Sequence, residues 1–204
     1  MILVYGTTNK GKIGFMKKRA KRAGIEILSL DDVGAPKLDI VECGNSPLEN
    51  ARIKAKAYYD ALKKPVFSCD SGLYIDELDD DRQPGLNVRG VNDDMTDDDA
   101  LAYYSGIADE FGGKITARYV NAICLVYDEN RIFEHMGNDI ASEPFHFVSK
   151  PHKKRDEGFP LDCISVHIES GKYYYDIEGY REKYLEADDG FVKFFQNVLD
   201  VIKR

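Results

Sequence analysis

The chain has 204 residues, 43% hydrophobic and 31% charged, with a formal net charge of -8. That length supports one substantial core and cramps a second independent one, so a single domain over 1–204 is expected, and the acid excess argues against a protein that coats a nucleic-acid polymer with a basic face. Cys43, Cys69, Cys124 and Cys163 lack C-x-x-C spacing, and His135, His146, His152 and His167 form no paired ligand pattern, which argues against a disulfide framework or a zinc site and suits reduced thiols.

In chain order, residues 2–5 form an apolar run ending at Gly6, the pattern of a buried strand entering a turn. A helix is expected over 12–23, with Gly24 as a left-handed cap and IEILSL as the next strand. In NSPLENARIKAKAYYDALKK, Ser46 can cap, Pro47 takes the first helical position and Glu49 completes an S-x-x-E box, so a helix over 47–63 follows. PVFSCD reads as a short buried strand that delivers Asp70 at its end, ahead of Gly72. Thr96 precedes a helix rich in acids at its positive end. ARYVNAICLVYDENRIFEHMG reads as a hairpin with Asp128, Glu129 and Asn130 at its turn. The stretch SKPHKKRDEGFP reads as a polar loop, and a last helix is expected over 191–203. No apolar stretch approaches the roughly 18 residues of a membrane span, and MILVYG is too short for a signal segment. A soluble cytoplasmic protein with no membrane partner is expected.

Gly6 to Lys12 fits the P-loop spacing G-x-x-x-x-G-K, but Ile13 stands where a Ser or Thr hydroxyl should hold magnesium. AICLVYDE imitates the second, acid-bearing strand of such a site, although the hairpin reading puts Asp128 and Glu129 in an exposed turn. A second reading takes the stretch together with two later ones. TTNKGK (Thr7, Thr8, Asn9, Lys12), ECGNSPLENARIKA (Glu42, Ser46, Glu49, Asn50, Lys54) and CDSGLYID (Asp70, Ser71, Gly72, Asp76) occur in that order, followed by QPGLNVRG. This ordered set resembles the inosine triphosphate pyrophosphatase family over roughly the first 140 residues, on motif order.

The resemblance implies an α/β protein: a long mixed sheet flanked by helices, with two lobes and a central nucleotide cleft. It also implies magnesium-dependent hydrolysis of a nucleoside triphosphate to monophosphate and pyrophosphate, as house-cleaning of unwanted purine nucleotides, by a homodimer. Thr8, Asn9, Lys12, Lys54, Ser71 and Lys183 would bind phosphates. The residues themselves support part of this. A triphosphate carries about four negative charges and wants lysines, N–H donors and a divalent cation. Lys12 and Lys54 sit near two acids, Glu42 and Asp70, and two carboxylates with phosphate oxygens and waters suit Mg2+. Asp70 is also placed to orient or deprotonate the attacking water. By resemblance Glu42 is the metal-binding glutamate and Asp70 the second acid of a pair whose first member is here Cys69.

The last third departs from the family. GFPLDC keeps Gly158, Phe159 and Asp162 of an aromatic base-binding segment, with Leu161 in place of the second aromatic. Lys183 is kept, while Ala187, Asp188 and Asp189 replace the Ser-His-Arg that the resemblance assigns to the keto oxygen of inosine or xanthine. An ionised aspartate only accepts hydrogen bonds, so Asp188 or Asp189 in the site would favour a base with an exocyclic amine. Alternatively both acids begin the final helix. Two other functions stay open: a catalytically weakened nucleotide-binding or sensing protein of the same fold, and a P-loop phosphotransferase.

Overall fold

The computed structural model describes residues 1–88, 95–156, 159–179 and 189–203. Its secondary structure runs β1 (Ile2–Tyr5), α1 (Lys10–Arg22), β2 (Glu26–Leu28), α2 (Pro47–Leu62), β3 (Val66–Ile75), α3 (Asp97–Glu110), β4 (Lys114–Val126), β5 (Ile132–His135), β6 (Phe145–Val148), β7 (Ser165–Val166) and α4 (Gly190–Ile202), with short 3-10 turns between. Hydrogen bonding orders the strands β2-β1-β3-β4-β6-β7, with β5 beside β4. β1 is parallel to β2 and β3, while β4 is antiparallel to β5 and β6. This is the mixed sheet with flanking helices that the motif order implied.

Two compact units share the chain. The first comprises Met1–Ser71, Asn121–Ala141 and Leu185–Arg204, and the second Gly72–Val120 and Ser142–Tyr184. In the first unit, period-two alternation along β3 divides its side chains between two cores. Phe67 and Cys69 join Leu3, Tyr5, Met16 and Phe195 on the side of α1 and α4. Val66 joins Ala51, Ala55 and Tyr58 of α2. In the second unit, Leu73, Ile75, Tyr104, Ile115, Phe147 and Ile164 form a separate core.

Local chemistry explains most element ends. Asn9 caps α1 by accepting from the Lys12 amide, so the helix opens at Lys10 rather than at the expected Lys12. Ser46 caps α2 through the Glu49 amide, and Pro47 fills the first turn. The expected reciprocal bond is shifted by one residue: Glu49 accepts from the amide of Asn45, not of Ser46. Thr96 and Asp99 form a full capping box at α3.

The largest correction concerns β3. It does not end at Asp70 but continues to Ile75, which leaves Asp70 in mid-strand. Leu73 exchanges backbone hydrogen bonds with Gly85 at 2.8 and 2.9 Å, and the Asp76 amide reaches Thr116 O at 2.9 Å. Gly72 therefore serves close packing rather than a turn. A Cβ there would lie 3.3 Å from Gly85 O and 3.1 Å from the Tyr74 ring.

Candidate active site

The first unit gathers four of the expected charged residues. Lys54 lies on α2, one turn from Asn50 and Ala51 and on the same face, which turns it toward β3. Its ammonium donates to Asp70 Oδ1 at 3.0 Å and to Glu42 Oε2 at 2.8 Å. One cation thus bridges two carboxylates, so their two bonded oxygens are no farther apart than those two distances combined. Burial disfavours the charge on Lys54, but Asp70 and then Glu42 outweigh it and hold its pKa above the ordinary lysine value.

Lys12 stands in the opposite balance. Burial, and then the positive charge of Lys54, push its pKa down, while Asp70, Cys69 and Glu42 offset this only in part. Among the described residues it has no ion-pair partner. It is a half-buried cation short of negative charge. Replacing it with methionine keeps the length and removes a charge that folding must desolvate, so Lys12→Met should not lower the melting temperature. The same change should weaken nucleotide binding about tenfold to a hundredfold, the range for a hydrogen bond to a charged group. Calorimetric titration beside a thermal melt checks both, and a destabilised variant with unchanged binding would make Lys12 a structural residue.

The sequence reading places Asn50 in the same motif as Glu42 but does not give its partner. Asn50 is buried, and its Oδ1 accepts from the Gly44 amide at 2.9 Å, pinning the exposed Glu42 loop to α2. Gly44 has no room for a side chain, because a Cβ would lie 2.6 Å from Glu49 Cβ and 2.7 Å from Asn50 Oδ1. The S-P-L-E-N run hints at a helix cap, but this second anchor needs the fold to reveal it.

Cys69 cannot act as an acid here. It faces the core beneath α1, on the side of β3 away from Asp70, and burial pushes its thiol up to about 12. Ser71 donates to Asn121 Oδ1 at 2.7 Å, and Asn121 in turn donates to Ile140 O at 2.8 Å. Thr8 is exposed in the β1–α1 loop. Asn9 spends its oxygen on the Lys12 amide.

The P-loop reading does not survive these contacts. Ile13 is half-buried and packs against the core beneath α1. Asp128 accepts from the Asn130 and Arg131 amides and pairs with the Arg131 side chain, so it belongs to the hairpin turn. Ile13→Ser should therefore not raise activity. Magnesium-dependent release of orthophosphate by that variant would reverse this assignment.

The expected base-binding residues fall differently. Phe159 and Asp162 belong to the second unit, where both are half-buried at a 3-10 turn, Pro160–Ile164. Leu161, which stands in place of the second aromatic, is buried in the second core. Asp189 belongs to the first unit and is not available to a base. It is buried, its Oδ1 accepts from the Phe191 amide to cap α4, and its Oδ2 accepts from the Arg19 guanidinium. For Asp189 the helix-start alternative is the one observed. Asp188, Lys183 and Gly158 lie outside the described residues.

Fold and charge arrangement together define an α/β protein that presents a half-buried lysine, without an ion-pair partner among the described residues, beside a lysine-bridged pair of acids. The chain belongs to the Ham1 family, whose model matches residues 3–144. It is 35% identical over 137 residues to the dITP/XTP pyrophosphatase of Rhodopseudomonas palustris, across 65% of this chain and 63% of that protein. With the dITP/XTP pyrophosphatase of Bacillus subtilis it shares 32% identity over 171 residues, 80% of this chain and 79% of the relative. The chain thus spans just under two thirds of the Rhodopseudomonas relative's length and more of the Bacillus one. Two solved structures share the fold. One is a HAM1 protein from Coxiella burnetii, with TM-score 0.69 and 18% identity over 100% of this chain and 98% of that one. The other is the Staphylococcus aureus Ham1 protein, with TM-score 0.66 and 19% identity over 98% of each chain.

Proposed function

We propose that the protein hydrolyses a nucleoside triphosphate to its monophosphate and pyrophosphate, removing non-canonical purine nucleotides of the kind its dITP/XTP pyrophosphatase relatives are named for. The observation that carries the reading is Lys54, bridging Glu42 and Asp70 while Lys12 lacks an ion-pair partner among the described residues. Two lysines and two carboxylates cancel in charge. An incoming triphosphate with about four negative charges needs further neutralisation, because one unit pair about 4 Å apart is worth about 4 kcal/mol at an effective dielectric near 20.

Magnesium fits that need. Two carboxylates converging on one ammonium form an oxygen-only set of the number that Mg2+ takes from a protein when phosphates and waters fill the rest. Among the described residues no set of three His, Cys, Asp or Glu side chains competes for a metal. In this reading Glu42 and Asp70 hold the ion, which when bound supplies charge neutralisation of the phosphates. Lys12 and Lys54 orient the phosphate chain. Asp70 takes a proton from the attacking water, the water oxygen bonds to the α-phosphorus, and the bond to the bridging oxygen breaks to release pyrophosphate. Thr8, Asn9, Ser71 and Lys183 on phosphates, and Phe159, Asp162 and Asp188 on the base, belong to the same proposal, as do a homodimer and a cytoplasmic setting.

A panel of dITP, XTP and ATP with magnesium, read by separate pyrophosphate and orthophosphate assays, tests the proposal. Pyrophosphate release that is lost on removing divalent cations is the expected result. Binding without turnover would favour a sensing protein, and orthophosphate release would favour a phosphotransferase.

A further inference from the structure

The loop 150–155, Lys-Pro-His-Lys-Lys-Arg, places four permanent positive charges in six residues of a chain with 36 acids and 28 bases. With carboxylates in such excess, a solvated basic loop is expected to collect ion pairs. Yet Lys150, Lys153, Lys154 and Arg155 are all exposed, and among the described residues none is ion-paired.

The loop is anchored through its backbone and its histidine instead. The His152 amide donates to Cys163 O at 2.7 Å, and the His152 ring packs against Tyr173 and Tyr175 with centroids 5.2 and 5.4 Å away. Its Nδ1 accepts from the Lys154 amide at 3.0 Å, which leaves Nε2 to carry the proton toward Asp176 Oδ1 at 3.3 Å. Tyr173 donates its hydroxyl to Lys150 O at 2.5 Å. Two of the four charged heads are themselves positioned by uncharged partners. Arg155 donates to His152 O at 2.7 Å, and the Lys154 ammonium lies 4.8 Å from the Tyr175 ring centre. Such contacts fix the side chains in advance and leave their charge uncancelled, which lowers the ordering cost of binding an anion.

An arginine fork beside lysine point charges suits phosphate oxygens. Six residues span at most about 20 Å when extended, room for a few phosphates. A long polyanion would run off this patch onto a chain of the same sign, so a short ion is favoured over a nucleic-acid strand. We propose that the 150–155 loop binds a short, multiply charged phosphate chain, either a free inorganic ion or the triphosphate tail of a nucleotide. Its residues belong to the second unit, and none is part of the Lys12–Lys54–Glu42–Asp70 constellation.

Titration calorimetry with tripolyphosphate, without divalent cations and in a Lys12→Met background that weakens the constellation, tests the proposal. Against that background, Lys153→Gln/Lys154→Gln/Arg155→Gln should bind tripolyphosphate at least about tenfold more weakly. The affinity of the triple variant should also depend less steeply on salt, because screened charge–charge attraction is what the substitutions remove. Because all three side chains are exposed, an unchanged circular dichroism spectrum separates lost binding from lost fold. ATP binding as tightly as tripolyphosphate, with the same loss in the triple variant, assigns the nucleotide tail, and tighter tripolyphosphate assigns the free ion. Unchanged binding in the triple variant overturns the proposal, as does tighter binding of a single-stranded oligothymidylate than of tripolyphosphate.

Discussion

Asp70→Asn is expected to cut pyrophosphate release by at least about a hundredfold while leaving the fold intact, since a positioned acid–base group contributes about two to four orders of magnitude. The geometry makes the substitution clean. An asparagine Oδ1 can still accept from Lys54 at the present 3.0 Å, so the packing of α2 against β3 is kept. The amide holds a cation poorly and takes no proton from water. The second carboxylate oxygen has no hydrogen bond among the described residues, and in the proposed mechanism it is the one that meets the water or the ion. Steady-state pyrophosphate release and a thermal melt decide the matter together. Near wild-type turnover would remove Asp70 from the mechanism, and a collapsed melting temperature would make the loss of activity uninformative.

Asp189→Ala is expected to lower stability by about 3–5 kcal/mol. The side chains of Arg19 and Asp189 are only 6% and 4% exposed, and removing the carboxylate takes the negative charge away from a guanidinium that stays buried. The same carboxylate caps α4, a contribution of about 1 kcal/mol that overlaps with the first. Arg19 also lies over the rings of Phe15 and Phe191, at 4.1 and 5.0 Å to their centres, so its guanidinium has no route to solvent without disturbing the core. At about 2–4 °C per kcal/mol for a chain of this length, the melting temperature should fall by roughly 10 °C. Denaturant titration of the variant checks this, and a change within about 0.5 kcal/mol would show the pair to be dispensable. The ratio of kcat/KM for dITP to that for ATP should stay within about twofold, because the side chain is committed to α1 and α4. A clear shift in that ratio with stability unchanged would return Asp189 to the base pocket.

The sequence by itself determined whatever depends on residues close together in the chain. Ser46 and Pro47 set the start of α2, Thr96 and Asp99 that of α3, and the spacing of Phe191, Phe194, Phe195 and Val198 buries one face of α4. A cap or an apolar stripe is complete within a turn or two, so no distant partner can change it. The motif order TTNKGK, ECGNSPLENARIKA, CDSG likewise sufficed to bring out Glu42, Lys54 and Asp70 as one set. Only the tertiary structure decided where strands end and which carboxylates are already spent. Gly72 looks like a turn until Gly85 supplies the hydrogen bonds that carry β3 past Asp70. Cys69 and Asp70 look like a replaced acid pair until the pleat sends them to opposite faces. Asp189 looks equally like a base reader or a helix cap until the structure keeps the cap and commits its second oxygen to Arg19, 170 residues away. Those partners are distant in the chain, and neither propensity nor spacing carries information about a contact that exists only once the core has closed.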